Sequence, residues 1–117
     1  MMRILVVEDE FVLAMDLEQE RADLGCQVVG PAGRRDHALS LAGTEPIDGA
    51  LLDINLNNGD TFETAGVLQA RGIPIAFVTG YRDRALPGPL AEAPRRIKPV
   101  TTRELRDILA RFAATRS

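Results

Sequence analysis

Several residue types are scarce in this chain, and each scarcity excludes a class of protein. There is one cysteine, Cys26, so neither an internal disulfide nor a cysteine-based zinc site can form, and a reducing compartment is expected. There is one histidine, His37, which leaves no His-paired catalytic or metal site. Basic residues are not in excess: 14 lysines and arginines stand against 17 aspartates and glutamates, a formal net charge of −3. A protein that grips phosphate backbones carries a basic balance or stripe, so nucleic acid is not an expected partner. The longest apolar runs, such as Ile4 to Val7 and Phe11 to Met15, are four or five residues, far short of a membrane span. Met1-Met2-Arg3 leads into a run too short for a secretory signal. With 117 residues, 45% hydrophobic and 26% charged, the chain suits one core. The expectation is a single cytoplasmic domain over 1–117, without repeat, linker or second domain, and without a membrane partner.

What is present is an alternation of short apolar runs with helical patterns. Ile4 to Val7 is continuously apolar and suits a strand buried on both faces. Glu10 to Leu24 reads as a helix with Leu13, Leu17 and Leu24 on one stripe and Gly25 as its stop. Gln27 to Ala32 reads as a second strand closed by Gly30-Pro31, and Arg35 to Ala42 as a helix ending near Gly43. Ala50 to Leu52 is a third strand running into Asp53, followed by a polar loop, Asn55 to Gly59. Asp60-Thr61-Phe62-Glu63 has the spacing of a capping box, opening a helix that packs Phe62, Ala65 and Leu68 and stops at Gly72. Ile73 to Val78 is a fourth strand, with Pro74 tolerable only near its start.

Between Tyr81 and Arg96 the prolines at 87, 89 and 94 allow at most a short fourth helix. Ile97 stands for a residual fifth strand, by position more than by pattern. Thr101-Thr102-Arg103-Glu104 is a second capping box, followed by Leu105, Ile108, Leu109 and Phe112 at helical spacing. Strands alternating with helices predict an α/β fold with a parallel sheet covered on both faces.

The polar residues fall where such a sheet would gather them. Glu8 and Asp9 follow the first run, Asp53 the third, Thr79 the fourth and Lys98 the residual fifth. The carboxyl ends of parallel strands share one edge, and that edge is where ligands bind. Carboxylates crowded there repel one another unless a cation sits among them. Oxygen ligands without His or Cys suit Mg²⁺ better than zinc, and hydrated Mg²⁺ binds one or two carboxylates plus a phosphate. A lysine adds a point charge for a phosphoryl oxygen, a threonine hydroxyl can donate to another, and an aspartate can itself be the nucleophile. The residues alone lead to Mg²⁺-dependent phosphoryl chemistry on an aspartate.

Val7-Glu8-Asp9-Glu10, Leu52-Asp53-Ile54-Asn55, Val78-Thr79-Gly80 and Lys98-Pro99 together resemble the receiver domains of two-component response regulators, over nearly the whole chain and in the family's order. The resemblance implies a flavodoxin-like, doubly wound five-stranded parallel sheet in the order 2-1-3-4-5. It implies that Asp53 is the phosphoacceptor, with Mg²⁺ held by Asp9, Asp53, the backbone carbonyl of Asn55 and, through a water, Glu8. Thr79 and Lys98 would bind the phosphoryl group, and Lys98-Pro99 would be cis. The donor would be a sensor histidine kinase or a histidine phosphotransfer protein, and the output a phosphorylation-dependent contact with a downstream protein. The chain would be no enzyme beyond its own phosphorylation and autodephosphorylation. Two positions depart from the pattern: Arg95 stands where members commonly carry an aromatic switch residue, and Val100 follows Lys98-Pro99 in place of an aromatic. Phe77-Val78-Thr79-Gly80-Tyr81 is similar to the Phe-Ala-Thr-Gly-Tyr type of alphaproteobacterial receiver, which makes Tyr81, with Thr79, the expected switch.

Each residue also has a plainer reading. Glu8 and Asp9 could serve a helix N-terminus, Asp53 a loop, Thr79 a strand and Lys98 the solvated surface. Lys98 resists this best: it is the single lysine among 14 basic residues, as though a compact ammonium were needed there. His37 reads as a solvated helix residue and Cys26 as a small buried hydrophobe. Two other function classes fit less well than a signalling module. A small phosphatase with an aspartate nucleophile needs a second carboxylate two residues on, where Asn55 stands. A flavin carrier would not place Glu8-Asp9-Glu10 where a phosphate must sit. A pseudo-receiver that binds partners constitutively would have no use for Asp53, Thr79 and Lys98 together.

Overall fold

The computed structural model describes residues 2–9, 15, 18, 19, 25–80 and 86–115. The helix expected over 10–24 falls largely outside these residues, as do its leucine stripe and Tyr81; Met15, Glu18 and Gln19 are helical and exposed. Among the described residues the order is β1 (Met2–Val7), β2 (Cys26–Ala32), α1 (Arg35–Thr44), β3 (Gly49–Leu52), β4 (Asn55–Leu56), β5 (Gly59–Asp60), α2 (Phe62–Ala70), β6 (Ile75–Thr79), a 3₁₀ turn (Gly88–Leu90), β7 (Arg95–Ile97) and α3 (Thr102–Thr115).

Five strands make one sheet in the order β2-β1-β3-β6-β7, every pair parallel. Counting only these five, that is the expected 2-1-3-4-5 of a flavodoxin-like fold. The period of two along each strand divides the core. Leu5 and Val7 of β1, Leu52 of β3 and Phe77 of β6 join Ala38, Ala42 and Leu68 of α1 and α2 on one face. Ile4, Val6, Leu51, Ala76 and Val78 meet Leu105, Ile108, Leu109 and Phe112 of α3 on the other. Central strands buried on both faces read as unbroken apolar runs for this reason.

The structure revises several details. β6 begins two residues later than expected, because Pro74 cannot donate to the ladder and instead accepts from Ala50 N–H at 3.0 Å. The polar loop after Asp53 is a two-residue antiparallel hairpin, β4–β5. Asp60-Thr61-Phe62-Glu63 is not a closed capping box: Asp60 Oδ1 accepts from Phe62 N–H at 3.1 Å, while Glu63 reaches across to Arg35 at 2.9 Å. The box at α3 does close, with Glu104 N–H donating to Thr101 Oγ1 and Thr101 N–H to Glu104 Oε1. Among the described residues the expected short fourth helix is a single 3₁₀ turn, Gly88–Leu90, and it is packed down on the core. Leu90 is buried in the core, Leu86 and Ala93 pack against it, and Gln69 Nε2 donates to Pro89 O at 3.0 Å.

Candidate functional site at the carboxyl edge of the sheet

Each chemistry-bearing residue sits at or one or two steps past the end of a strand, where the ladder of the sheet is extended by one more backbone bond. Glu8 N–H donates to Ala32 O at 2.9 Å, Asp53 N–H to Val7 O at 2.8 Å, and Lys98 N–H to Thr79 O at 2.9 Å. The apolar runs thus fix side chains they do not contain: burying Ile4 to Val7 and Gly49 to Leu52 side by side leaves Glu8, Asp9 and Asp53 at one edge. Lys98-Pro99 is cis, as the resemblance implied.

Asp9, Asp53, Asn55, Leu56, Asn57, Gly80 and Lys98 line one open cleft at this edge. Lys98 Nζ donates to Asp53 Oδ2 at 2.8 Å and stands 3.3 Å from Glu8 Oε2. Glu8 is 2% exposed, Asp53 9%, and the Lys98 side chain 24%. Burial by itself would lower the lysine's pKa. The hydrogen bond and charge of Asp53, and then those of Glu8, outweigh it, and the pKa lies above the ordinary lysine value. Asn55 N–H approaches Asp53 Oδ1 at 3.4 Å, a long contact across the loop. Thr79, the last residue of β6, is fully buried, and it is the following Gly80 that lines the cleft.

The sequence led us to expect three carboxylates clustered around a cation. Among the described residues no three carboxylate, imidazole or thiol groups form such a cluster. Two carboxylates, Asp9 and Asp53, share the cleft with Asn55, and Lys98 bridges Asp53 to the buried Glu8. Two carboxylates, an amide residue and access to water are a donor set that fits Mg²⁺, which keeps several of its waters, and does not fit zinc. One residue of the site was missed from sequence. Thr61, fully buried, donates its hydroxyl to Asp53 O at 2.6 Å and lies 3.3 Å from Ile54 O. Its place beside Asp60 disguised it as a helix cap. The plainer readings hold for His37, which is exposed, and for Cys26, which is buried in the α3-side core.

No family model matches the chain. Solved structures do. The receiver domain of a sensor histidine kinase from Pseudomonas aeruginosa PAO1, with a magnesium ion coordinated in its active-site cleft, is 26% identical, with a TM-score of 0.74 over 97% of this chain and 98% of that one. SdrG from Sphingomonas melonis Fr1 is 34% identical, with a TM-score of 0.80 over 97% of each chain. With this sheet order and this site, the chain belongs to the receiver domains of response regulators, signalling domains of two-component phosphorelays. Among curated proteins it is similar to the phyllosphere-induced regulator PhyR of Methylorubrum extorquens, 38% identical over 88 residues. That match covers 73% of this chain and 33% of PhyR, so the chain corresponds to about a third of that regulator's length. Among the described residues no helix is long and apolar enough to cross a membrane.

Proposed function

We propose that this receiver accepts a phosphoryl group on Asp53 from a histidine kinase or histidine phosphotransfer protein, in the cytoplasm. It then signals through a phosphorylation-dependent protein contact. The observation that carries the reading is the ion pair of Lys98 with Asp53 at 2.8 Å, in a cleft that also holds Asp9 and Asn55. An Asp53 oxygen attacks the phosphorus of the phosphohistidine. The bond from phosphorus to the imidazole nitrogen breaks, and that nitrogen keeps the electron pair and takes up a proton. Asp9, Asp53, the carbonyl of Asn55 and, through a water, Glu8 would hold Mg²⁺, which would neutralise charge on the transferring oxygens. Lys98 follows the charge from the carboxylate to a phosphoryl oxygen, and the Thr79 hydroxyl turns to another. Thr79, with Tyr81, would carry the change to the segment before β7. From there it would reach α3, where Arg103 and Arg106 are exposed and offer a face for a downstream partner. Intact-mass measurement after treatment with acetyl phosphate and Mg²⁺ tests the chemistry. One added phosphate is expected, absent in Asp53→Asn and absent when Mg²⁺ is chelated; an adduct surviving in Asp53→Asn or in EDTA refutes the reading.

A further inference from the structure

We propose that Thr61 is a positioning residue for the phosphoacceptor loop, its hydroxyl holding the Asp53 carbonyl and so the placing of Asp53 and Asn55. The proposal rests on the assignment of Asp53 and Asn55 to the phosphoryl and cation site.

The two peptide groups of Asp53 are tied at opposite ends. Its N–H donates to Val7 O of β1 at 2.8 Å, and its carbonyl accepts from Thr61 Oγ1 at 2.6 Å. The next carbonyl, of Ile54, accepts from Thr61 N–H at 3.0 Å, with Thr61 Oγ1 at 3.3 Å. One buried residue therefore holds both backbone carbonyls that precede that of Asn55. A hydrogen bond made away from water to a backbone group is costly to lose, because its partner is left unsatisfied.

The direction of this hydroxyl sets it apart from an ordinary structural threonine. Thr61 is the N-cap of α2, and a threonine there ordinarily accepts from an N–H of the first helical turn. Thr61 makes no such bond. Asp60 Oδ1 takes the Phe62 N–H instead, and the Thr61 hydroxyl reaches eight residues back along the chain to Asp53. A capping role would turn the group toward the helix; it is turned toward the site. The methyl of Thr61 packs equally well as valine, whereas the proton donor does not survive that change.

The test compares wild type, Thr61→Val and Thr61→Ser at a temperature where each is fully folded by thermal denaturation. Mg²⁺ affinity is read from backbone amide shifts in the unphosphorylated protein, and phosphorylation rate from acetyl phosphate. Thr61→Val should weaken Mg²⁺ binding and slow phosphorylation by about tenfold, the range for residues that orient metal ligands. Thr61→Ser should restore both to near the wild-type values. Unchanged affinity and rate in Thr61→Val, with only a lowered melting temperature, would make Thr61 a structural residue and overturn the proposal. Should the valine variant not fold, Thr61→Cys, of similar size and a weak donor, is read by the same two measurements. A wild type that neither binds Mg²⁺ nor takes a phosphoryl group would overturn the reading of the site and this role with it.

Discussion

Lys98 is held between two acids whose surroundings differ: Glu8 is almost wholly buried, while Asp53 faces the cleft. Removing the ammonium leaves a buried carboxylate without its cation, which costs more than the pair contributes when intact. Lys98→Met should therefore destabilise the metal-free protein at neutral pH. We expect about 2 kcal/mol, below the full penalty for a deeply buried pair because the cleft is open to water. Adding Glu8→Gln should return part of that loss, since the uncompensated charge goes with it; chemical denaturation of the two single variants and the double variant measures the coupling. Strictly additive losses would mean that the Lys98–Glu8 contact carries no energy. The sign of the pKa shift fits this experiment. A lysine whose folded pKa is raised contributes fully below its unfolded value and loses that contribution only as pH rises through the folded one, so the pair is at full strength throughout the neutral range.

At the scale of elements, close approach decides what the helices can do. α3 lies on the sheet through Phe112, whose ring passes so near Gly49 at the start of β3 that an added Cβ would overlap it. Gly49→Ala should cost about 1–3 kcal/mol by overpacking, read from the urea midpoint. Phe112→Leu in the same chain should recover part of it; a neutral Gly49→Ala would show that α3 moves aside freely. α1 is finished by a side chain from another helix. Its last turn has no basic residue, and Arg71, at the C-cap of α2, donates to the carbonyls of Ala42 and Glu45. Across the other end of the same pair, Arg35 pairs with Glu63, and Arg35 N–H donates to Asn58 Oδ1 of the hairpin at 2.9 Å. The hairpin that follows Asp53 is thereby fastened to the start of α1.

For the whole molecule, the question is how a charge change at one edge reaches a surface. Thr79 is tied to Lys98 through backbone; Thr79 ends β6 just before the segment that leads to β7, and Lys98 directly follows β7. The described part of that segment, residues 86–94, is anchored at Leu90 and holds a single 3₁₀ turn, and Arg95 in β7 is ill suited to the place of a buried aromatic switch. We expect residues 81–94 to be better protected from hydrogen exchange when Mg²⁺ and beryllofluoride, a phosphoryl mimic, are bound. Equal protection in both states, or full switching in Tyr81→Ala, would rule this route out.

The sequence by itself determined the alternation of elements, the double-sided burial of β1, β3 and β6, the stripe of α3, and the residues that a parallel sheet must bring to its carboxyl edge. These are local or periodic signals: an apolar run, a 3.6-residue stripe, a polar residue one step past a strand. Four short motifs in order were enough to read Asp9, Asp53, Asn55 and Lys98 as neighbours, and the structure brings them into one cleft. Contacts between residues far apart in the chain were decided only by the tertiary structure. β7 is carried by its pairing with Phe77 to Thr79, since Arg95 and Arg96 have no strand pattern of their own. Glu63 left its expected cap for Arg35, because an ion pair between helices was within reach. Glu8 and Asp53 come to share Lys98, because a buried carboxylate needs its cation close. The hydroxyl of Thr61 went to Asp53 for the same kind of reason: a buried carbonyl must be satisfied, and folding brought this donor within 2.6 Å of it.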